Sequence, residues 1–123
     1  MTFSNILVKM SKDLYNSKEN KDRMKYIIYT TETFDKIFSA LDKTEQEWII
    51  KTKEKLEENP TGKILKFSWF KEKKYLNKRL YYLIDDKNKK ILLISFASKK
   101  EQQKLINFVK DNMEEFLNHL RNL

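Results

Sequence analysis

The stretch that decides the fold is residues 63–103, KILKFSWFKEKKYLNKRLYYLIDDKNKKILLISFASKKEQQ. Three apolar-rich runs of strand length alternate with polar segments, and Lys or Arg residues stand at the ends of the runs. In the second run Arg79 and Tyr81 are two residues apart, so they face the same side of a sheet, and Tyr82 faces the other side. The third run, residues 91–96, is apolar at almost every position, which is typical of a central strand covered on both faces. The pattern predicts an antiparallel meander.

Positive charge is concentrated on this meander. Residues 60–104 contain 13 Lys and Arg against 4 Asp and Glu, a net charge of +9. Residues 1–59 contain 11 of each sign, and residues 105–123 contain 2 against 3, so the meander accounts for the whole excess of a chain with net charge +8. A charge excess confined to one structural unit indicates a surface for a polyanion.

Composition excludes several classes of protein. A chain of 123 residues forms one domain with a single modest core. The absence of Cys excludes disulfides, cysteine zinc sites and thiol nucleophiles, and a single Gly excludes glycine-rich phosphate loops and dinucleotide fingerprints. One His provides no imidazole cluster for a metal. Neither a membrane span nor a signal peptide is apparent, so we expect a cytoplasmic protein without membrane association, metal or small-molecule cofactor.

The segments around the meander predict helices and one further strand. Residues 25–31 are β-branched and aromatic, so they predict a strand. A helical hairpin should follow, with Asp42 or Thr44 capping its second helix and Asn59-Pro60 ending it. An apolar stripe predicts a C-terminal helix from Leu105 onward.

The N-terminus completes the predicted organisation. Phe3, Leu7, Met10 and Leu14 form a helical stripe over residues 3–15, and a polar linker follows. Residues 1–22 are therefore predicted to be a helical arm and linker, and residues 23–123 a single domain. The predicted fold class is α+β, with an N-terminal strand and helical hairpin packed on an antiparallel meander and a C-terminal helix.

Two sets of cations on the meander are candidates for anion binding. Lys71 and Lys73 project to the same side of an extended strand and could hold one phosphate, although edge lysines also serve only to prevent aggregation. Arg79 lies within an apolar and aromatic strand, where an unpaired guanidinium is costly. Arg79 therefore requires either an acidic partner, for which Glu72 and Asp85 are the nearest carboxylates in the sequence, or a bound anion.

The residues at the end of the meander add to this surface. Lys99 and Lys100 open the last helix, where free backbone N–H groups and the positive end of the helix dipole favour an anion. Tyr81 or Tyr82 could stack on unpaired bases, but strand parity requires one of them to belong to the core. We interpret His119 as a surface or interface residue.

The order of these motifs over residues 26–108 resembles the RelE/ParE toxin superfamily. The resemblance rests on the helical hairpin, on the two strand lysines of the Lys-x-Lys strand end, and on three segments with their spacing: Asn59-Pro60-Thr61-Gly62-Lys63, Lys78-Arg79-Leu80-Tyr81-Tyr82 and Ile94-Ser95-Phe96-Ala97-Ser98-Lys99-Lys100-Glu101.

The resemblance implies a toxin that is neutralised by a cognate antitoxin protein and that cleaves mRNA on the ribosome. In such toxins the ribose 2′-hydroxyl attacks the adjacent phosphate without a metal, so the implied partners are an antitoxin, the ribosome and mRNA. The implied catalytic residues are Lys71, Lys73, Arg79 and Lys100. The implied RNA-binding residues are Lys66, Lys78, Tyr81, Lys99 and Lys104.

The chain departs from the cleaving members of this family at one position. Those relatives often carry a Tyr or His acid–base residue on the C-terminal helix, where residues 105–108 here read Leu-Ile-Asn-Phe. A Lys with a depressed pKa, Lys71 or Lys73, could take that role. Two alternatives therefore stand beside the endoribonuclease. One is a ParE-like toxin that inhibits a topoisomerase by binding, and the other is a degenerate member that only binds nucleic acid or a partner protein.

Overall fold

The computed structural model describes residues 8–10 and 25–123 of the chain. Within these residues one mixed sheet is flanked by helices on both faces. The strands are β1 (Val8–Met10), β2 (Ile27–Thr31), β3 (Lys63–Ile64), β4 (Phe70–Tyr75), β5 (Lys78–Asp85) and β6 (Lys90–Ser98). The helices are α1 (Glu32–Ser39), α2 (Lys43–Glu58), α3 (Gln102–Asp111) and α4 (Met113–Arg121), and a 3₁₀ turn, Lys99–Glu101, joins β6 to α3.

The sheet has the order β1-β2-β6-β5-β4-β3. Strands β4, β5 and β6 are antiparallel neighbours, and β6 lies between β5 and the parallel strand β2. The α+β class, the meander and the central position of its last strand are thus confirmed. The meander has one more strand than predicted, because residues 63–64 pair with β4 across a short connection.

The N-terminal helix predicted over residues 3–15 is wrong at Val8–Met10. These residues pair with β2 in antiparallel register, with Val8 opposite Thr31 and Met10 opposite Tyr29. A short isolated helix is only marginally stable, whereas the open edge of β2 offers backbone hydrogen bonds to an extended segment. The other residues of the predicted helix lie outside the described part of the chain.

The helical hairpin begins and ends where the sequence indicates. The Thr31 hydroxyl oxygen accepts a hydrogen bond of 3.0 Å from the Phe34 N–H at the start of α1. Asp42 and Glu45 form a capping box at the start of α2, which satisfies backbone donors that would otherwise lack partners. Helix α2 ends at Glu58, immediately before Asn59-Pro60.

Two apolar cores lie on opposite faces of the sheet. The hairpin face is the face covered by α1 and α2, and the C-terminal face is the face covered by α3 and α4. On the hairpin face the buried residues include Ile28, Phe34, Ile49, Leu56, Leu80, Tyr82, Ile84, Leu93 and Phe96. On the C-terminal face they include Tyr29, Phe70, Tyr81, Leu83, Leu92, Val109, Phe116 and Leu120.

The predicted C-terminal helix is divided in two at Asn112. The Asn112 side-chain amide donates to the Phe108 carbonyl at 2.9 Å, and the backbone at Asn112 leaves the helical region with φ −118° and ψ 26°. Asparagine favours such local side-chain bonds over a continuous helix. The break lets Val109 and Phe116, on two different helices, pack on the same sheet face.

Gly62 is required where the chain passes from α2 to the sheet edge. A Cβ atom at this position would lie 2.7 Å from the Tyr82 hydroxyl oxygen and 2.9 Å from the Glu72 carbonyl oxygen. The Tyr82 hydroxyl in turn donates to the Thr61 carbonyl at 2.9 Å. The connection therefore packs closely on β4 and β5.

Candidate nucleic-acid interface

Strand register sorts the charged residues of the meander onto two different faces. Lys71 pairs with Tyr82 and Lys73 pairs with Leu80, so both lysines belong to the hairpin face. The C-terminal face of the same two strands carries the cross-strand pairs Glu72 with Tyr81 and Lys74 with Arg79. The structure therefore does not bring Lys71 and Lys73 together with Arg79.

Arg79 has an acidic partner. Its Nε atom lies 3.5 Å from Glu72 Oε2, and the two side chains are only 11% and 7% exposed. Arg79 Nη1 also donates to the Lys78 carbonyl at 3.2 Å. Glu72 Oε2 accepts no hydrogen bond from the described residues, so the contact with Arg79 is an ion pair without hydrogen-bond geometry. Of the two possibilities that the sequence left open, the acidic partner is the one present.

Tyr81 lies beside this ion pair and is fully buried. Burial raises the pKa of Tyr81 to about 12, with a further increase from the Glu72 carboxylate and an opposing effect of Arg79. Its hydroxyl has no hydrogen-bond partner among the described residues. Tyr82 is equally buried on the other face. The stacking role predicted for Tyr81 is therefore wrong, because neither ring is accessible to a base.

The lysines of the hairpin face hold structural contacts. Lys73 Nζ donates to Thr61 Oγ1 at 2.6 Å, which ties β4 to the connection after α2. Lys78 Nζ lies 2.6 Å from Glu45 Oε2 and 5.5 Å from the centre of the Phe96 ring. An RNA contact by Lys78, as implied by the resemblance, would compete with Glu45.

Exposed cations gather at one end of the sheet. Lys78 pairs with Ser98, so the residues after β6 lie beside the two-residue β4–β5 turn. We call the cations at this end the basic rim, comprising Lys74, Arg79, Lys99, Lys100 and Lys104. All of them except Arg79 are exposed. Lys66 lies in the β3–β4 connection, at the other end of β4, and does not join the rim.

Lys74 occupies the same face as Arg79 and was missed from sequence, because the Lys-x-Lys pattern drew attention to the alternate positions 71 and 73. Glu72, one of the two carboxylates considered as a partner of Arg79, lies on that face as well. The feature of the sequence that could have indicated this register is Asn77, because asparagine favours turns. A two-residue turn at 76–77 sets Tyr75 opposite Lys78, and this register places position 74 opposite Arg79.

A cavity of about 310 Å³ lies next to the Arg79 pair on the C-terminal face. Its position follows from the register, since Ala97 pairs with Arg79 and Ser95 pairs with Tyr81. Glu101 and Lys104 supply its charged lining. The remaining walls are formed mainly by Ile94, Leu105, Phe108 and Phe116, with Thr31 and Thr33.

Residues 8–10 and 25–123 contain neither a cluster of metal-ligating side chains nor a helix suited to span a membrane. No group of three or more His, Cys, Asp and Glu side chains is placed to hold a metal ion. No helix has the length and apolar character needed to cross a membrane.

Solved structures of RelE toxins are similar to this chain. A free mutant form of RelE from E. coli superimposes with a TM-score of 0.62 at 22% identity, covering 72% of this chain and 98% of that one. The chain has the RelE toxin fold. No protein-family model matches the sequence, and no curated protein matches it.

Two further RelE-fold structures are toxin–antitoxin complexes. The intact RelBE complex from E. coli matches with a TM-score of 0.54 at 20% identity, covering 60% of this chain and 95% of that chain. The RelBE2 complex from Mycobacterium tuberculosis matches with a TM-score of 0.54 at 19% identity, covering 61% and 99%. At these identities the likeness concerns the RelE fold, which was predicted from the motifs of residues 26–108.

Proposed function

We propose that this chain is the toxin of a toxin–antitoxin pair and that it cleaves mRNA on the ribosome by 2′-hydroxyl attack. The observation that carries this proposal is the ion pair of Arg79 with Glu72, which lies beside Lys74 on the C-terminal face. The exposed lysines of the basic rim are close to this pair. The RelE fold supports it, since two of the matched structures are complexes of a toxin with its antitoxin.

Arg79 is the residue suited to the scissile phosphate. Its planar guanidinium can donate two parallel hydrogen bonds to phosphate oxygens, which a lysine cannot do. During attack the phosphorane gains negative charge, and the Arg79 guanidinium stabilises that charge once it exchanges Glu72 for the phosphate. The exposed lysines of the basic rim attract the flanking phosphates of the RNA.

Glu72 is the residue suited to act as general base. Its carboxylate adjoins Arg79, and one of its oxygens accepts no hydrogen bond from the described residues. Glu72 Oε2 is buried in the free protein, so the proposed step begins when Arg79 exchanges it for the phosphate and exposes it to the RNA. This oxygen then removes the proton of the 2′-hydroxyl, and the 2′-oxygen attacks phosphorus as the bond to the 5′-oxygen breaks. The Lys74 ammonium, on the same face, donates a proton to the leaving 5′-oxygen. The products are a 2′,3′-cyclic phosphate and a 5′-hydroxyl.

The antitoxin is proposed to cover the same region of the molecule. An antitoxin with acidic side chains for the basic rim and an apolar segment for the adjoining cavity would match both surfaces in charge and polarity. Such a partner would block the Arg79 site directly, and its binding would weaken as the salt concentration rises.

A second candidate is a toxin that acts by binding alone, as a ParE-like topoisomerase inhibitor or a nucleic-acid-binding module. The observation in its favour is that Glu72 already neutralises Arg79, while Lys71 and Lys73 lie on the other face. In that case Arg79 and Glu72 form a structural ion pair, and the basic rim is only a binding surface.

The deciding experiment is primer extension on an mRNA translated by ribosomes with the purified protein. Glu72→Gln keeps the size of the side chain but removes the base, and Arg79→Lys keeps a cation beside Glu72 but removes the forked donor. We expect each variant to lose cleavage by about 10²-fold or more. Lys87→Gln, in the exposed β5–β6 connection, is the matched control and should cleave like the parent.

The other outcomes assign the function differently. Growth arrest by a parent protein that leaves every mRNA intact would favour the binding candidate, with DNA supercoiling measured next. Full cleavage by Arg79→Lys would remove Arg79 from the chemistry. Full cleavage by Glu72→Gln would leave Arg79 in place but require another base.

A further inference from the structure

Leu76 occupies an unusual position at the tip of the β4–β5 hairpin. Tyr75 and Lys78 are the last paired residues, so Leu76 and Asn77 form a two-residue turn. The backbone of Leu76 has φ 52°, in the left-handed region. Its side chain is 73% exposed, compared with 54% for Ile64 and 46% for Ile50, the other exposed large apolar residues of the described chain.

Neither the turn nor the core explains a leucine at this position. Two-residue hairpin turns that need positive φ normally carry Gly, Asn or Asp, because a larger side chain crowds the backbone there. A side chain that is 73% exposed adds little to the apolar core. Strained backbone positions concentrate at sites that bind ligands, so the tip of this hairpin is a candidate for contact with a ligand.

The surroundings of Leu76 indicate the chemistry of that ligand. Lys73 and Lys74 precede the turn, and Lys78 and Arg79 follow it. Lys99 and Lys100 extend the positive charge from the end of β6 on the neighbouring strand. A polyanion complements this positive charge. If the same ligand also contacts Leu76, it must contain an apolar group. Single-stranded RNA combines the two, since its unstacked bases are apolar faces between phosphates.

We propose that Leu76 inserts against an unstacked base of single-stranded RNA while Lys99 and Lys100 contact the flanking phosphates. This inference rests on the proposed function in one respect, that the ligand is RNA. It adds a base-contacting residue outside the Arg79 site, at the tip of the hairpin that carries Arg79 and Lys74.

The test is fluorescence anisotropy with a single-stranded oligoribonucleotide of about ten nucleotides, beside the same strand with abasic positions. Leu76→Asn keeps a residue that tolerates positive φ and removes the apolar group. We expect it to bind the normal strand about tenfold more weakly, the lower end of what burying a leucine is worth. Its affinity for the abasic strand should equal that of the parent protein, and its melting temperature should be unchanged or higher.

Two further variants make the result specific. Leu76→Met retains an apolar side chain and should keep the parent affinity for both strands. Ile64→Thr removes another exposed apolar side chain, on β3 and away from the turn, and should also bind like the parent.

Four results would overturn the inference. Parent-like binding of the normal strand by Leu76→Asn would remove Leu76 from the interface and leave the proposed function standing. Equal weakening for the abasic strand would show that Leu76 does not contact a base, and a loss of affinity for the antitoxin alone would assign the tip to a protein partner. A parent protein that binds neither strand at any salt concentration would contradict both this inference and the RNA-directed function.

Discussion

Arg79 and Glu72 contribute to the stability of the fold and, in the proposed mechanism, to the reaction. Both side chains are almost fully buried, and their charges lie 3.5 Å apart. Removing one member of such a pair leaves the other charge without compensation in a medium of low polarity, which costs more than the pair itself contributes. Folding and phosphate binding therefore make competing demands on the same guanidinium.

Arg79→Ala should lower the free energy of unfolding by about 3 kcal/mol, because the Glu72 carboxylate loses its cation. The double variant Arg79→Ala with Glu72→Gln should recover most of that loss. Urea unfolding of the parent, both single variants and the double variant measures the coupling. If the two single effects simply add, Arg79 and Glu72 do not interact in solution. A stable and fully toxic Arg79→Ala protein would end the assignment of Arg79 to the site.

The two neighbouring tyrosines provide a matched pair of stability tests. The Tyr81 hydroxyl is buried without a hydrogen-bond partner among the described residues, so Tyr81→Phe should raise the free energy of unfolding by about 1 kcal/mol. The Tyr82 hydroxyl donates to the Thr61 carbonyl, so Tyr82→Phe should lower it by about 1 kcal/mol. Denaturant unfolding of both variants measures these changes in the free energy of unfolding. A clear loss of stability in Tyr81→Phe would mean that its hydroxyl has a partner.

At the scale of elements, the helical hairpin is held by local capping as well as by packing. The Asp42 carboxylate accepts a hydrogen bond of 2.8 Å from the Glu45 N–H, and Glu45 Oε1 accepts one of 3.3 Å from the Asp42 N–H. Glu45 also forms an ion pair with Lys78 of β5. This pair links the first turn of α2 to the meander, at the end of the sheet where the basic rim lies.

Asp42→Ala should cost about 1 kcal/mol of folding stability, the usual effect of losing an N-cap side chain. Glu47→Ala, an exposed substitution in the same helix, is the control and should change stability by less than about 0.5 kcal/mol. Thermal melts of the two variants provide the comparison. Equal melting temperatures would show that Glu45 and Lys78 hold the start of α2 without the cap.

For the whole molecule, buried tyrosines predict how stability changes at high pH. Burial raises the pKa of both Tyr81 and Tyr26 to about 12, and for Tyr26 the hydrogen bond to Asp86 adds to the effect. The unfolded chain ionises its tyrosines near pH 10, so it loses protons before the folded chain does. Stability should therefore be constant below about pH 10 and fall between about pH 10 and 12.

The expected slope is about 1.4 kcal/mol per pH unit for each such tyrosine. Urea unfolding from pH 8 to pH 11.5 measures it, and Tyr81→Phe should show a shallower decline than the parent protein. If parent and variant lose stability in parallel, the alkaline transition belongs to other groups, such as Tyr26, and not to Tyr81.

The net charge of +9 on residues 60–104 predicts how RNA binding depends on salt. Each phosphate that a Lys or Arg neutralises releases counterions, so the logarithm of the binding constant should fall linearly with the logarithm of salt concentration, with a slope near −0.7 per phosphate for a single strand. Replacing Lys99 and Lys100 with Gln should reduce the magnitude of that slope by about 1.4. Affinity that hardly changes between low and physiological salt would contradict a phosphate-directed interface.

The α+β class, the helical hairpin, Asp42 as one of two possible caps of its second helix, and the end of that helix before Asn59-Pro60 were all predicted from the sequence. So were the central strand β6 and the placement of Arg79 and Tyr81 on the face opposite to Tyr82. These features follow from spacings of 2 or 3.6 residues, from capping and from the effect of proline, all of which act between residues close in the chain. The concentration of positive charge is likewise a property of composition, because it does not depend on which strands become neighbours.

Tertiary structure alone decided the composition of the site. The register of β4 on β5 placed Glu72 and Lys74 beside Arg79 and turned Lys71 and Lys73 to the other face. Helices on both sides of the sheet buried Tyr81 as well as Tyr82, and the free edge of β2 took Val8–Met10 into a strand. Each of these outcomes depends on residues far apart in the chain. A one-residue change of register would exchange every side chain between the faces, so the spacing within one strand cannot determine which charges meet across two.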